Sequence, residues 1–406
     1  MTTPAKPIRD RDVQGLKYFK KLRPLLGRLR DVGTERDRAG SRRLTMDQYG
    51  LLVLLWLFNP LVNSLRGLQQ TSALQKVQKK LGIRRASLGS LSESVTLFDP
   101  EPLKQIAKLL SAELPATKPG RFAAVGQELT AVDGSVVDTV VRVARLAWLP
   151  KAKDKALTAY RLHTHFEVLR GIPRRIDVTP AKPKGADDER AVLERTLEPD
   201  RCYLIDCWYG KFSLWNAIVA ARSSYVCRVR DNSSYRVLES RPLTPADIAA
   251  GVLSDELVEF TATSKKGRGP NHPVRLIQIA ATPHQRRGKY RGGGTGSSCD
   301  GTLRIATDRL DLPAELLSEM YRLRWLIELF FKMFKQFLGC RHLLSTKHNG
   351  VEIQAYCAII ACLLILQHTG RLPTKRTFEM VCFYLSGWAS LAELEAHIRK
   401  LKTTRS

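Results

Sequence analysis

The chain has 406 residues, enough for two or three domains with sizeable cores. Hydrophobic residues make up 44% of it, which excludes wholesale disorder, and 66 Lys plus Arg against 39 Asp plus Glu give a formal net charge of +27. That imbalance requires a polyanionic partner, with nucleic acid the first candidate and an anionic membrane surface the second. The longest unbroken apolar runs, Leu51 to Leu57 and Cys357 to Leu366, are well short of the roughly 20 residues a spanning helix needs. The N-terminus carries charges throughout and no apolar signal core, so a cytosolic protein is expected. Eight cysteines without a Cys-x-x-Cys pair argue against a zinc site and against a disulfide framework.

Residues 1–120 read as a helical N-terminal domain. Leu16 to Leu26 is a basic amphipathic stretch, and Met46 to Leu57 and Pro102 to Leu114 carry helical spacing. Between them, Leu74 to Ser94 reads as helix, glycine turn and helix, a pattern shared by helix-turn-helix units and by many plain helical hairpins. The first 100 residues hold 19 Lys plus Arg and 8 Asp plus Glu, a net +11, so a DNA-contacting role is preferred over that of a solvated lid.

From residue 125 the pattern turns to strands. Leu129 to Ser135 is a buried strand ending in Asp133-Gly134, and Arg161 to Leu169 alternates around His163 and His165, read as a satisfied structural pair. A hairpin turn at Gly171 leads into Arg174 to Val178. Asp188 to Leu197 reads as a helix, Cys202 to Asp206 as a short buried strand stopping at a carboxylate, Lys211 to Arg222 as a helix, and Tyr225 to Val229 as a strand. A meander feeding parallel crossovers predicts a mixed sheet with helices packed on it over 125–231. Residues 232–302 read as a β-rich insertion with strands at Glu256 to Thr263 and Pro273 to Ala280. Its tip holds Arg286, Arg287, Lys289 and Arg291 among glycines, and Ser264 to Cys299 has eight Lys plus Arg and no acid, which favours DNA contact over a merely solvated loop.

The segment 303–370 opens with a strand, Leu303 to Thr307, and Pro313 then starts a long helix reaching Lys335. Within it, Arg324, Glu328 and Lys335 lie 3, 7 and 14 residues beyond Tyr321. At about 100° per residue these offsets fall near 300°, 340° and 320°, with Lys332 near 20°, so one face carries a phenol, a carboxylate and three cations. A Glu and a Lys four residues apart often do no more than support a helix. The remaining acids give this face more meaning. Asp133 and Asp206 each close an apolar strand, where α/β sheets tend to place their sites, although turn capping explains either one alone. Three converging carboxylates repel one another, and a divalent cation with a taste for hard oxygen ligands removes that repulsion. Mg²⁺ or Mn²⁺ fits, and two ions would suit phosphodiester chemistry at Asp133, Asp206 and Glu328. Tyr321, Arg324, Lys332 and Lys335 would then hold adjacent DNA phosphates. An apolar helix, Val351 to Gln367, is expected to pack under this one, and 371–406 holds two more helices, Thr377 to Leu385 and Leu391 to Leu401.

The series Tyr321, Arg324, Glu328 and Lys335 matches the signature Tyr-x2-Arg-x3-Glu-x6-Lys at every position. In this the chain resembles the DDE transposases of bacterial insertion sequences, in the large group named after insertion sequence four. Similarity extends over about residues 40–370, and Asp133-Gly134-Ser135 resembles the first-aspartate motif. The second motif departs from the family's Asp-Arg-Gly-Tyr: here it is Asp206-Cys207-Trp208-Tyr209-Gly210, with Trp208 where a small residue is usual. Asp200 and Asp231 compete for a role but close no apolar strand as well, and Asp138, five residues past Asp133, would face the other side of a continuing strand. The resemblance implies a ribonuclease-H-like α/β core, hydrolytic nicking at element ends and strand transfer by the freed 3′ hydroxyl. It also implies double-stranded DNA as partner, both terminal inverted repeats and target, and a homodimer in the synaptic complex. A nuclease of the same fold without strand transfer, or a non-catalytic DNA-binding derivative, is the alternative.

Overall fold

The computed structural model describes residues 24–32, 35–40, 42–59, 61–62, 64–114, 120–138, 159–181, 185–260, 269–281, 301–337, 343–345, 347–369 and 374–403. The basic tip with Arg286, Arg287, Lys289 and Arg291, and most of the stretch from Leu16 to Leu26, lie outside the described residues.

The N-terminal part is helical: α1 (Leu29–Val32), α2 (Met46–Phe58), α3 (Leu65–Ala73), α4 (Gln75–Leu81), α5 (Leu88–Leu97) and α6 (Glu101–Ala112). The expected helix, glycine turn and helix is present: Gly82 ends α4 in the left-handed region at φ 67°, and the Ser87 side chain caps α5. Then come β1 (Glu128–Asp138), β2 (Ala159–Glu167), β3 (Ile172–Pro180), α7 (Glu189–Arg195), β4 (Arg201–Ile205), α8 (Phe212–Ala220) and β5 (Ser224–Arg228). The chain continues through β6 (Tyr235–Ser240), α9 (Pro245–Ala249), β7 (Val252–Phe260), β8 (Val274–Ala280) and β9 (Thr302–Thr307). It closes with α10 (Ala314–Leu323), α11 (Trp325–Phe337), α12 (His348–Thr369), α13 (Lys375–Leu385) and α14 (Leu391–Thr403).

The nine strands form one sheet in the order β3-β2-β1-β4-β5-β9-β8-β7-β6. β1, β2 and β3 are antiparallel, whereas β4 and β5 run parallel to β1 after crossovers through α7 and α8. That is the mixed sheet with helices packed on it expected from the element order. Residue alternation sends the two faces into different cores. Leu129, Ala131, Leu162, Phe166, Cys202 and Leu204 face the core shared with the N-terminal helices and α10 to α12. Val132, Tyr203 and Ile205 face the core built on Leu214, Trp215 and Ile218 of α8.

Four features differ from the sequence reading. First, β1 does not end at Asp133-Gly134 but runs on to Asp138, because β2 pairs with it throughout, from Thr130 to Asp138. Second, the long helix is two: α10 stops at Leu323 and α11 starts at Trp325, and Arg324 N–H to Tyr321 O (3.1 Å) and Ile327 N–H to Arg324 O (3.2 Å) tighten the chain between them. Third, β6 and α9 have no counterpart in that reading. β6 is mostly exposed and lacks the alternation that betrays a strand, and strands β6 to β8 extend the central sheet through β9. Fourth, α12 is 22 residues long and apolar enough over His348–Gln367 to pass for a spanning helix, although 89% of that window is buried inside the fold. Tyr356 of α12 donates its hydroxyl to Ile176 O of β3 (2.9 Å), and Ile359 and Ile360 join the core of the N-terminal helices.

Candidate active site at the ends of the parallel strands

β1 and β4 pair in parallel from Glu128↔Arg201 to Ala131↔Leu204, and β4 ends one residue later at Ile205. Asp133 and Asp206 each stand two residues past the last pair, so they occupy equivalent positions on neighbouring strands and the same sheet face. Leu204 is in turn level with Val226 of β5, which puts Arg228 in the next equivalent position. Two carboxylates and a guanidinium thus form a row where the parallel pairing stops. Sequence reasoning missed Arg228; its signal was the end of the apolar run Tyr225 to Cys227.

Helix α11 packs over this face: the Phe330 ring lies 5.2 Å from that of Phe166 on β2, and Phe330 and Phe334 are buried. The apolar side of the helix is thereby turned to the sheet and its polar side to the strand ends. Arg324 donates to Glu328 Oε1 at 2.7 Å, and its guanidinium lies 5.8 Å from the centre of the buried Tyr321 ring. Lys332 is exposed and Lys335 half-buried, and neither has an acidic partner among the described residues.

The electrostatics tie these groups together. Burial pushes the Asp133 carboxyl up to about 6, and the charges of Asp206 and Glu328 push the same way, while the Gly134 N–H (2.7 Å) and Arg324 oppose them. Burial also raises the Tyr321 phenol, which feels Arg324 and Asp206. Burial opposes the charge of Arg324, but its neighbours Tyr321, Glu328 and Asp133 more than compensate and hold it firmly protonated. Asp133, Asp206, Glu328, Arg324 and Tyr321 therefore share one site. It is not a ready-made metal cage: among the described residues no group of three or more acidic, histidine or cysteine side chains is close enough to hold one ion. Glu328 is occupied by Arg324, and Asp206 Oδ1 accepts the Trp208 N–H at 2.9 Å. The oxygen donors and the strained, desolvated Asp133 nonetheless fit a hard divalent cation, whose charge would relieve the repulsion between the two aspartates.

The other acids are placed elsewhere. Asp200 is a turn residue at φ 58° at the opposite end of β4 from Asp206, and Asp231 faces Arg228 and Arg304 at 4.0 and 3.8 Å. The bulk of Trp208 is accommodated by a single 3-10 turn, Cys207–Tyr209, capped by Asp206, with the indole turned outward. His163 and His165 are buried structural residues, bonded to Thr179 (2.7 Å) and Thr196 (3.1 Å), and burial lowers both to about 4. The six described cysteines are free.

The chain is 24% identical over 227 residues to a protein named as transposase y4zB from Sinorhizobium fredii, covering 56% of this chain and 58% of that one. It is 24% identical over 237 residues to a protein named as the transposase for insertion sequence element IS5377 from Geobacillus stearothermophilus, covering 58% of this chain and 55% of that one. The chain thus spans little more than half the length of these curated relatives. Among solved structures, the piggyBac transposase synaptic complex with hairpin DNA superimposes at a TM-score of 0.42 and 9% identity, over 97% of this chain and 83% of that one. The family described as "Transposase DDE domain" matches residues 125–364, more than half of the chain and the span that carries Asp133, Asp206 and Glu328, so the chain belongs to that family.

Proposed function

We propose that the protein is a DNA transposase that cuts the ends of an insertion sequence and joins the freed 3′ hydroxyl to target DNA. The carrying observation is the adjacency of Asp133 and Asp206 beneath the helix that presents Glu328. Asp133, Asp206 and Glu328 are its catalytic carboxylates. They would hold Mg²⁺ or Mn²⁺, in all two ions, and the bound metal would activate the attacking oxygen and stabilise the leaving one. Glu328 must release Arg324 to take part, and an incoming phosphate supplies Arg324 with a substitute anion. Tyr321, Lys332 and Lys335 position the DNA backbone. The four-residue signature supports the insertion-sequence-four group.

The remaining assignments belong to the same proposal. The helical segment 1–120 and the basic tip with Arg286, Arg287, Lys289 and Arg291 bind double-stranded DNA; 125–231 and 303–370 form the catalytic domain around 232–302, and 371–406 closes the chain. Two copies pair the element ends, and the protein works in the cytoplasm, on the nucleoid. The test is cleavage of DNA carrying the element's own termini, with and without Mg²⁺. Asp133→Ala, Asp206→Ala and Glu328→Ala are each expected to abolish cleavage while leaving end binding intact. Cleavage retained by Glu328→Ala would remove that residue from the triad. Cutting without joining would make the protein a nuclease.

A further inference from the structure

Trp208 lies two residues beyond Asp206 and is 47% exposed, whereas tryptophan is highly buried on average. It belongs to neither apolar core. Yet its ring is held. The Arg190 guanidinium lies over it, 5.3 Å from the ring centre, and Arg190 is pinned by both carboxylate oxygens of Asp188 at 2.9 and 3.3 Å. Asp188 is fixed in turn, because it caps α7 by accepting the Arg190 N–H. The backbone N–H of Trp208 donates to Asp206 Oδ1. The result is a flat apolar plate, braced by a cation and coupled through one amide to a carboxylate of the site.

We propose that Trp208 is a stacking platform for an unpaired DNA base beside the phosphodiester that Asp206 faces. This inference rests on the transposase reading above. Inside a duplex the neighbouring pairs cover both faces of every base, so a single ring meets a free π-face only on an unpaired base or a strand end. Stacking of this kind is tolerant of base identity, since every base has a π-face. Arg190 and the exposed Lys211 add the positive charge that a nucleic-acid strand seeks. Because the indole is bonded through its backbone to Asp206, a base held there sets the register of the neighbouring phosphate against that carboxylate.

The experiment uses the full-length protein and two end-labelled single strands of about 15 nucleotides, one of thymidine and one wholly abasic, followed by fluorescence anisotropy without divalent metal. The wild type is expected to prefer the thymidine strand by about tenfold or more. Trp208→Ala loses most of that preference with unchanged affinity for the abasic strand, and Trp208→Phe keeps part of it. A preference left intact in Trp208→Ala overturns the proposal, and so does a wild type that binds both strands equally. A wild type that binds neither strand also overturns the platform, whereas the transposase reading stands or falls separately on cleavage of duplex DNA carrying the element's termini. As a second arm, a strand with a single 5-iodouracil is expected to photocrosslink to the peptide bearing Trp208. Crosslinks that fall only on other peptides overturn the platform.

Discussion

Asp133 and Asp206 face each other across neighbouring parallel strands, each two residues beyond the register pair of Ala131 and Leu204. Adjacent strands lie about 4.8 Å apart, so the two carboxylates meet at short range in a partly desolvated site. Among the described residues neither carboxylate has an ion-pair partner in contact: Asp133 takes one N–H from Gly134 and Asp206 one from Trp208, and the nearby charge of Arg324 offsets only part of the cost at Asp133. A site built this way is destabilised by its own charge, which is the state a bound cation corrects.

The charge on Asp133 should therefore cost stability in metal-free protein. Its carboxyl is raised to about 6 in the fold, above the ordinary carboxylate value, so the folded state holds the proton more tightly than the unfolded chain. Stability from this group is present below the unfolded value and is lost as pH rises through about 6. Asp133→Asn is accordingly expected to be more stable than wild type at pH 7 to 8 in EDTA, by on the order of 2 kcal/mol, with the gain vanishing near pH 4. Urea denaturation at the two pH values checks this. Equal stability at both would mean that Asp133 is solvated and unstrained.

Arg324 restrains the same titration, because its charge opposes the upward push on Asp133 while its side chain holds Glu328. Replacing it by Gln removes both effects. The acid limb of the cleavage profile is expected to move to higher pH, since Asp133 must lose its proton to bind metal. The plateau rate should also fall by about 100-fold, as when a single charge-stabilising donor is removed from an active site. A lower plateau with an unmoved limb would confine Arg324 to holding DNA.

Part of the helix face was legible from spacing alone: Arg324 bonds to Glu328 and lies beside the Tyr321 ring, as offsets of three and four residues predict. The break itself was not, since two hydrogen bonds of the i to i+3 kind change no residue type. Asp133 was recognised for a wrong reason. Gly134 resembles the turn that ends a strand, but the strand continues, and the carboxylate is exposed to the site because β4 stops, not β1. Where a neighbouring strand ends is a tertiary fact that no local pattern carries. Strand β6 escaped for the opposite reason, having nearly every residue in solvent on both faces and little apolar pattern to read.

Gly134 has a packing role that the sequence did not reveal. A Cβ added there would meet Glu189 Cδ at 2.9 Å and Oε1 at 3.0 Å, and Arg161 Cδ at 3.3 Å. Glu189 and Arg161 form an ion pair on the sheet face opposite Asp133, with the Glu189 side chain only 8% exposed. Gly134→Ala must displace that pair from its seat directly behind β1. The expected loss is about 1–3 kcal/mol of stability, read as a lower melting temperature, together with reduced cleavage. Gly134→Ala with wild-type stability would show that the pair moves freely.

Tyr209 tests whether the core behind the site is already satisfied. Its phenol is only 1% exposed, and among the described residues its hydroxyl has no hydrogen-bond partner. An orphaned buried hydroxyl costs about 1–3 kcal/mol, and removing it returns that energy without leaving another group unpaired. Tyr209→Phe is expected to melt at or above the wild-type temperature. A drop in melting temperature would reveal a partner such as a buried water bonded to that oxygen.

Arg275 and Asp255 decide whether strands β7 and β8 are a passive extension of the sheet. They form a bidentate pair at 2.7 and 2.6 Å, with side chains only 2% and 5% exposed. Arg275 also donates to the carbonyls of Leu312 and of Arg309 (3.3 Å), where the chain turns towards α10. The same guanidinium thus joins the far strands to the start of the helix that carries Tyr321. Arg275→Met leaves Asp255 charged and unpaired in the interior, an expected loss of about 3–5 kcal/mol by urea denaturation. Arg275→Met with Asp255→Leu should recover most of it, because no buried charge then remains. The carbonyls of Leu312 and Arg309 still lack their donor in that double variant, so cleavage should stay below wild type even where stability returns. Full recovery of both would mean that β7 and β8 support the fold without setting the position of α10.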